Sequence, residues 1–365
     1  VDQDQVRPVL DARGPFASVF WEDSFNTEDA ARQLDLKSRE IAAGLGEQGA
    51  DEATIDAVVT AVLDGDHPVG AGGRGVVAAQ GRVLLDQRLA APPARQVARV
   101  SELPYLLPFI SHGGAGVSYV VVAVDHRGAD LVEHDEHGRE VGSETVAGEQ
   151  HQVHHVRGGG FAHASMRGNV DEARDQNLVE VAERVAERVG RSRPGRVFLV
   201  GEQQSRRALH AKLPPAVRAI TEELSAGGRA AGAGRDEVER EIREALARYR
   251  LAGYEELAER FRMGVGRADG LAVTGLDEVA RALSEANVDT ALIGDPGDAE
   301  VWVGASPGEI AVDEGALRAF GVGSRRKLRA DEALPWMALV SGASVAVLDE
   351  RVDLDGGVGA LLRHS

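Results

Sequence analysis

Residues 151–170 read HQVHHVRGGGFAHASMRGNV. The stretch holds four His and two Arg and no acid, in a chain with 59 Asp and Glu. Gly158, Gly159 and Gly160 follow Arg157 directly. A glycine triplet has no side chains to pack, and it loses more conformational entropy on ordering than any other tripeptide. It suits a place where bare backbone approaches another molecule, and the flanking cations point to an anionic one. The candidate contact residues are His154, His155, Arg157, Gly158, Gly159, Gly160, Phe161, His163 and Arg167. His and Phe stack on bases, and arginines meet phosphate. Beyond the loop, Leu178, Val181, Val185 and Val189 fall at helical spacing. A helix is expected over 170–189, capped by Asn169 or Asp171.

On the N-terminal side, Tyr119–Val124 is a strong β run. His126-Arg127-Gly128 reads as a turn, and Ala129–Glu133 returns, which makes a hairpin. On the C-terminal side, Val197–Val200 is a short buried strand ending in Gly201, and Gln203–Ala211 reads as a helix before Pro214-Pro215. Strands alternating with helices imply an α/β sheet. This central domain spans 117–225. The small-residue run SAGGRAAGAG, residues 225–234, leads into a third domain at 235–365. There Arg235–Met263 is a long helix with Glu and Arg at four-residue spacing, and Val288–Ile293 and, last, Val345–Leu348 are strands. The first domain, 1–115, offers a strand at Ala17–Trp21, helices at Ala30–Leu45 and Asp51–Leu63, and two short strands around Gln80-Gly81. Pro104–Pro108 and His112–Gly116 read as a linker.

Composition bounds the function. The net charge of −18 argues against a general nucleic-acid binder. Only 151–225 is basic, with 12 basic residues against 9 acidic. That is the pattern of one electropositive finger on an acidic body, competent for local RNA contact. There are no cysteines, so disulfides and thiolate metal sites are absent and a reducing, cytoplasmic setting is expected. No apolar run approaches the roughly 20 residues of a membrane span. The N-terminal VDQDQVRPVL does not read as a signal peptide.

The order hairpin, basic glycine loop, long helix, strand ending in glycine resembles the central domain of the archaeal and eukaryotic class-1 release factor and Pelota superfamily. In the third domain, Thr274-Gly275-Leu276-Asp277-Glu278-Val279, then Ala282-Leu283, then Thr290–Ile293 extend the likeness. The resemblance is nearest to the superfamily's divergent bacterial branch, which includes the Balon-type ribosome hibernation factors of actinobacteria. It covers about residues 117–350. It implies a three-domain α/β architecture with mixed sheets. It also implies a cytoplasmic protein bound at the ribosomal A site, in contact with ribosomal RNA and with EF-Tu as a further partner. DNA, membranes, cofactors and metals are not expected. Release factors carry Arg-Gly-Gly-Gln in the loop, and this chain has Arg157-Gly158-Gly159-Gly160 followed by Phe161. The glutamine that orients water is missing, so a hibernation or ribosome-protection role without efficient hydrolysis is expected. The alternatives are a release-like peptidyl-tRNA hydrolase acting through the Gly160 backbone, and a stress-linked interaction protein with no ribosome contact.

Other motifs weigh less. His151, His154 and His155 lack a nearby carboxylate for zinc. His112–Gly116 precedes a strand and no Lys-Ser/Thr follows, so it is no phosphate loop. Asp125, Asp130 and Glu133 sit around a hairpin turn, where acids are usually solvated. Ser205-Arg206-Arg207 and Arg325-Arg326-Lys327 read as helix and turn surface, and Trp302 and Trp336 as core.

Overall fold

The computed structural model describes residues 3–23, 30–64, 72–89, 92–112, 117–125, 127–136, 138–147, 162–226, 234–265, 270–348 and 351–364. The chain divides into two units. One joins Val1–Gly113 to Ala252–Ser365, and the other is Gly114–Leu251.

The first unit opens with α1 (Gln3–Leu10), β1 (Phe16–Glu22), α2 (Ala30–Glu47), α3 (Glu52–Leu63), β2 (Gly73–Ala79), β3 (Arg82–Leu89), β4 (Val97–Ser101) and α4 (Leu107–His112). The strands form an antiparallel sheet in the order β3-β2-β1-β4. Strand β1 alternates between its two faces. Ala17, Val19 and Trp21 pack with Leu34, Ile41, Leu45, Val58 and Val62 of α2 and α3. Phe16 and Phe20 pack with Val6, Val9, Leu106 and Phe109. The Asp51 side chain caps α3 by accepting from the Thr54 N–H at 2.9 Å. Gln80 and Gly81 turn β2 into β3 with φ of 52° and 71°, as a two-residue hairpin turn requires. The segment around Pro104–Pro108, expected as a linker, is instead part of the core. Leu103, Leu106, Leu107 and Phe109 are all buried. The two prolines delimit an apolar run that packs, so the breaker signal marked a short element and not a domain joint.

The second unit contains β5 (Tyr119–Val124), β6 (Gly128–His134), β7 (Glu140–Ala147), α5 (Ala162–Ser192), β8 (Arg196–Gly201), α6 (Gln203–Lys212), α7 (Pro215–Arg218) and β9 (Thr221–Glu223). It also holds the first half of α8 (Arg235–Val265). Its sheet runs β7-β6-β5-β8-β9. The first three strands are antiparallel, and β5, β8 and β9 are parallel. Both faces are covered, so the strands read as continuous apolar runs. Val120, Val122, Val124, Val197 and Leu199 meet Leu178, Val181, Ala182 and Val185 of α5. Tyr119, Phe198 and Val200 meet Ile242, Ala245 and Leu246 of α8.

Helix α8 continues into the first unit, where Ala258 and Phe261 are buried. Between Ala247 and Gly253 it has no buried residue. Then follow β10 (Ala272–Thr274), α9 (Leu276–Ser284), β11 (Val288–Ile293), β12 (Glu300–Val303), β13 (Ile310–Ala311), α10 (Glu314–Ala319), β14 (Arg326–Arg329), α11 (Ala330–Val340), β15 (Ser344–Val347) and β16 (Val358–Leu362). The larger sheet is ordered β10-β16-β11-β15, with β11 and β15 parallel. Strand β15 was expected to be last. In fact β16 follows it and lies between β10 and β11; VGALL is short and glycine-flanked, so its strand signal was weak. Trp336 packs half-buried against the core, and Trp302 is half-buried on β12.

The first and last segments of this unit share their packing. Leu103 and Leu107 belong to the core built around α9 and α11, and Leu339 of α11 belongs to the core under β1. Arg99 of β4 reaches the α11 N-terminus, donating to Asp331 at 3.1 Å and to Glu332 at 2.9 Å while lying 4.0 Å from the Tyr105 ring centre. Among the described residues, no helix is long and apolar enough to cross a membrane.

Candidate functional site

The glycine loop joins β7 to α5. His154, His155, Arg157, Gly158, Gly159, Gly160 and Phe161 lie outside the described residues. His163 and Arg167 do not belong to the loop as expected. They fall in the first two turns of α5, which begins at Ala162 and not near Val170. Ala162–Val170 has no proline to stop it, and the helix runs past the cap signals at Asn169 and Asp171.

The frame around the loop is well defined. Register places Val124, Ala147 and Gly201 at one edge of the sheet, the carboxyl edge of the parallel strands. The chain leaves β7 at that edge to enter the loop. A short turn links the far end of α5 to the start of β8, so α5 runs antiparallel to β8 across the sheet. Its stretch from Leu178 to Ser192 spans ~22 Å, matching the ~20 Å of six-residue β8. The 16 residues from Ala162 to Asn177 add ~24 Å more and carry the helix beyond that edge.

Two arginines clamp α5 to the hairpin strands. Arg188 donates to Glu133 at 3.1 Å and to Glu144 at 2.8 Å. Arg184 donates to Glu144 at 2.5 Å and to Glu187 at 2.6 Å. The hydrogen bonds from Arg188 and then Arg184 hold the Glu144 carboxyl below the usual carboxylate range. Sequence reasoning missed β7 and therefore this cluster. The readable part was the pair of arginines four apart on α5; EVGSETVA does not alternate apolar with polar residues.

The acids around the hairpin turn serve structure. Asp125 accepts from the N–H groups of Arg127 at 2.7 Å and Gly128 at 3.0 Å, which closes the hairpin turn. Asp130 accepts from Thr145 at 2.9 Å. Glu133 takes Arg188.

Gly201 closes β8 with φ 123°, in the region that favours glycine. A Cβ there would sit 2.1 Å from the Val124 carbonyl oxygen. The strand ends in glycine because neighbouring backbone occupies the side-chain position. At the opposite edge, His134 stacks on Tyr119, with ring centres 4.6 Å apart. Burial pushes the His134 imidazole down, and its Nδ1 has no hydrogen-bond partner.

The basic cluster Ser205-Arg206-Arg207, expected on the surface, splits. Arg207 is exposed, whereas Arg206 is buried and 8% exposed. Position along the helix decides this: Arg206 is one turn before Leu209, on the face that packs inward.

Comparison with known proteins places this arrangement. Residues 118–267 match the model of the bacterial archaeo-eukaryotic release factor family 2. A Mycobacterium tuberculosis protein, Rv2629 of strain H37Rv, is 34% identical over 99% of this chain and 96% of its own length. Among solved structures, Pelota of Archaeoglobus fulgidus is 13% identical with a TM-score of 0.35, covering 80% of each chain. A ribosome-bound archaeal Pelota is 17% identical with a TM-score of 0.38, covering 99% of this chain and 94% of that one. The chain thus belongs to one family with Rv2629, and its residues 118–267 carry the region of the bacterial archaeo-eukaryotic release factor family 2.

Proposed function

We propose that this protein is a ribosome-binding factor that occupies the A site of idle ribosomes and protects them, without efficient peptide release. The observation that carries this reading is the family region itself. It brackets residues 157–160, and those residues are Arg-Gly-Gly-Gly. Two glycines of the release-factor loop are kept, and they let bare backbone approach RNA closely. The glutamine that orients the attacking water is replaced by Gly160, with bulky Phe161 next to it. Positioning supplies much of the rate in such hydrolysis, so losing the positioning side chain leaves occupancy without turnover. On this reading, residues 1–115 face the decoding centre, the 157–160 segment faces the peptidyl transferase centre and contacts ribosomal RNA, and residues 235–365 face the stalk base and EF-Tu. The setting is cytoplasmic and stress-linked.

The test has two parts. Co-sedimentation with purified ribosomes, with and without EF-Tu, is expected to be strong at low salt and to fall as salt rises. Absence of binding at low salt in both conditions refutes the ribosome reading. Labelled peptidyl-tRNA on the ribosome is expected to stay intact. Turnover matching a genuine release factor reassigns the protein as a hydrolase working through the Gly160 backbone amide.

A further inference from the structure

Arg206 is a buried cation with two nitrogens that have no partner among the described residues. The residue is 8% exposed, and its Nε and Nη1 are shut off from solvent with no hydrogen-bond partner. A guanidinium keeps its charge at any pH a folded protein survives, so it does not escape burial by neutralising, as a carboxyl or an amine does. A buried charge without hydrogen bonds is among the costliest arrangements a fold contains. Something with negative charge is expected to meet it.

Its surroundings converge on one type of ligand. Side chains on a helix lean towards its N-terminus, so the second-turn position of Arg206 on α6 directs its side chain towards the first turn. That turn lacks a side-chain cap. Glu202 stands at the cap position, is exposed, and makes no capping hydrogen bond. The backbone N–H groups of Gln203, Gln204 and Ser205 therefore have no intrahelical acceptor and carry the positive end of the helix dipole. The first turn also contains no acid. It opens at the carboxyl edge of β5 and β8, where open α/β sheets place their ligands. Helix N-terminal amides beside a guanidinium fork suit a tetrahedral oxyanion.

We propose that the β8–α6 turn is a phosphate site, with Arg206 donating through its guanidinium and the first turn of α6 donating through its backbone. It does not depend on the ribosome reading. The phosphate arrives either as a phosphodiester of RNA or as a free phosphate, and the experiment separates the two.

The test uses the full chain. Inorganic phosphate is titrated against chloride at constant ionic strength while the melting temperature is followed. Wild type is expected to gain on the order of 2–4 °C at ten times the Kd. Arg206→Met is expected to lose that gain while melting in chloride no lower than wild type, because it removes a buried charge and keeps an apolar stem. Arg206→Lys, which keeps the charge but not the fork, is expected to retain a reduced gain. Arg207→Gln, on the exposed neighbour, is expected to keep all of it. A short single-stranded RNA that displaces labelled phosphate identifies a backbone phosphate, and failure to displace it identifies a free one. No response of wild type to phosphate overturns the proposal. So does a full response in Arg206→Met, which makes Arg206 an internal structural cation. If Arg206→Met does not fold, Arg206→Lys decides: a weakened response supports the site, and an undiminished one refutes it.

Discussion

Two arginines divide this molecule, Arg99 half-buried and Arg206 buried. Arg99 is paired: Asp331 and Glu332 accept from its Nη1 and the Tyr105 ring lies against it. Arg206 has two donors without partners. Arg206 is withdrawn from water and Arg99 only in part, yet among the described residues it is Arg99 that is neutralised by its own chain. Arg99 ties β4 to α11, so its charge is spent on holding distant segments of one unit together. Among the described residues, the Nε and Nη1 of Arg206 tie nothing together. A fold keeps a buried charge for internal cohesion or for a visitor, and the partner count separates the two uses.

The largest effect is expected from breaking the Arg99 cluster. Arg99→Ala leaves Glu332, which is 2% exposed, without its cation, and should cost roughly 3–5 kcal/mol in the urea transition of the first unit. Burial already pushes the Glu332 carboxyl up, with Arg99 opposing, so the variant should recover part of that loss at acid pH. If Arg99→Ala and Arg206→Met cost the same, the distinction between them is void.

Next comes the edge on which Arg206 stands. Gly201→Ala places a Cβ against the Val124 carbonyl at a φ that L-residues rarely adopt, and should cost roughly 2–4 kcal/mol. A smaller loss is expected for Arg188→Ala, about 1.5–3 kcal/mol, because two partly buried glutamates lose a charge-assisted donor. If circular dichroism shows unchanged stability, the arginine clamp does not anchor α5.

The smallest effect sharpens the contrast through pH. His134 has a folded-state pKa below its unfolded value. The unfolded chain therefore binds more protons, and stability falls as pH drops below about 6.5. His134→Phe should keep the stacking on Tyr119 and flatten that slope in the second unit. An unaltered slope assigns the acid sensitivity to another group.

Much of the fold was legible because periodicity and burial agreed. The alternation of FASVFWE, the valine run of β5 and the Leu178–Val185 face of α5 each announce their packing. The misses have physical causes. Pro104–Pro108 reads as a breaker, but the leucines between and around the prolines are needed by two cores at once. Strand β16 reaches the sheet from far along the chain, and no local pattern reports such a pairing. The loop residues were readable as chemistry, since Arg-Gly-Gly-Gly is visible in sequence. The frame was not: the Glu144 cluster depends on a strand whose register is set by tertiary pairing. Arg206 was the reverse case, a residue read as surface that packing drew inside.

Helix α8 has a consequence for cooperativity. It contributes buried residues to one unit through Ile242, Ala245 and Leu246, and to the other through Ala258 and Phe261. Between them, Ala247–Gly253 buries nothing, and Gly253 costs about 1 kcal/mol of helix propensity against alanine. Melting that starts in one unit can run along the helix to this stretch and halt there, where packing no longer couples neighbouring turns. The whole chain then has two unfolding transitions and no single free energy of unfolding. Amide exchange along α8 should mark the boundary as a minimum of protection near Gly253, with each flank reporting the stability of its own unit.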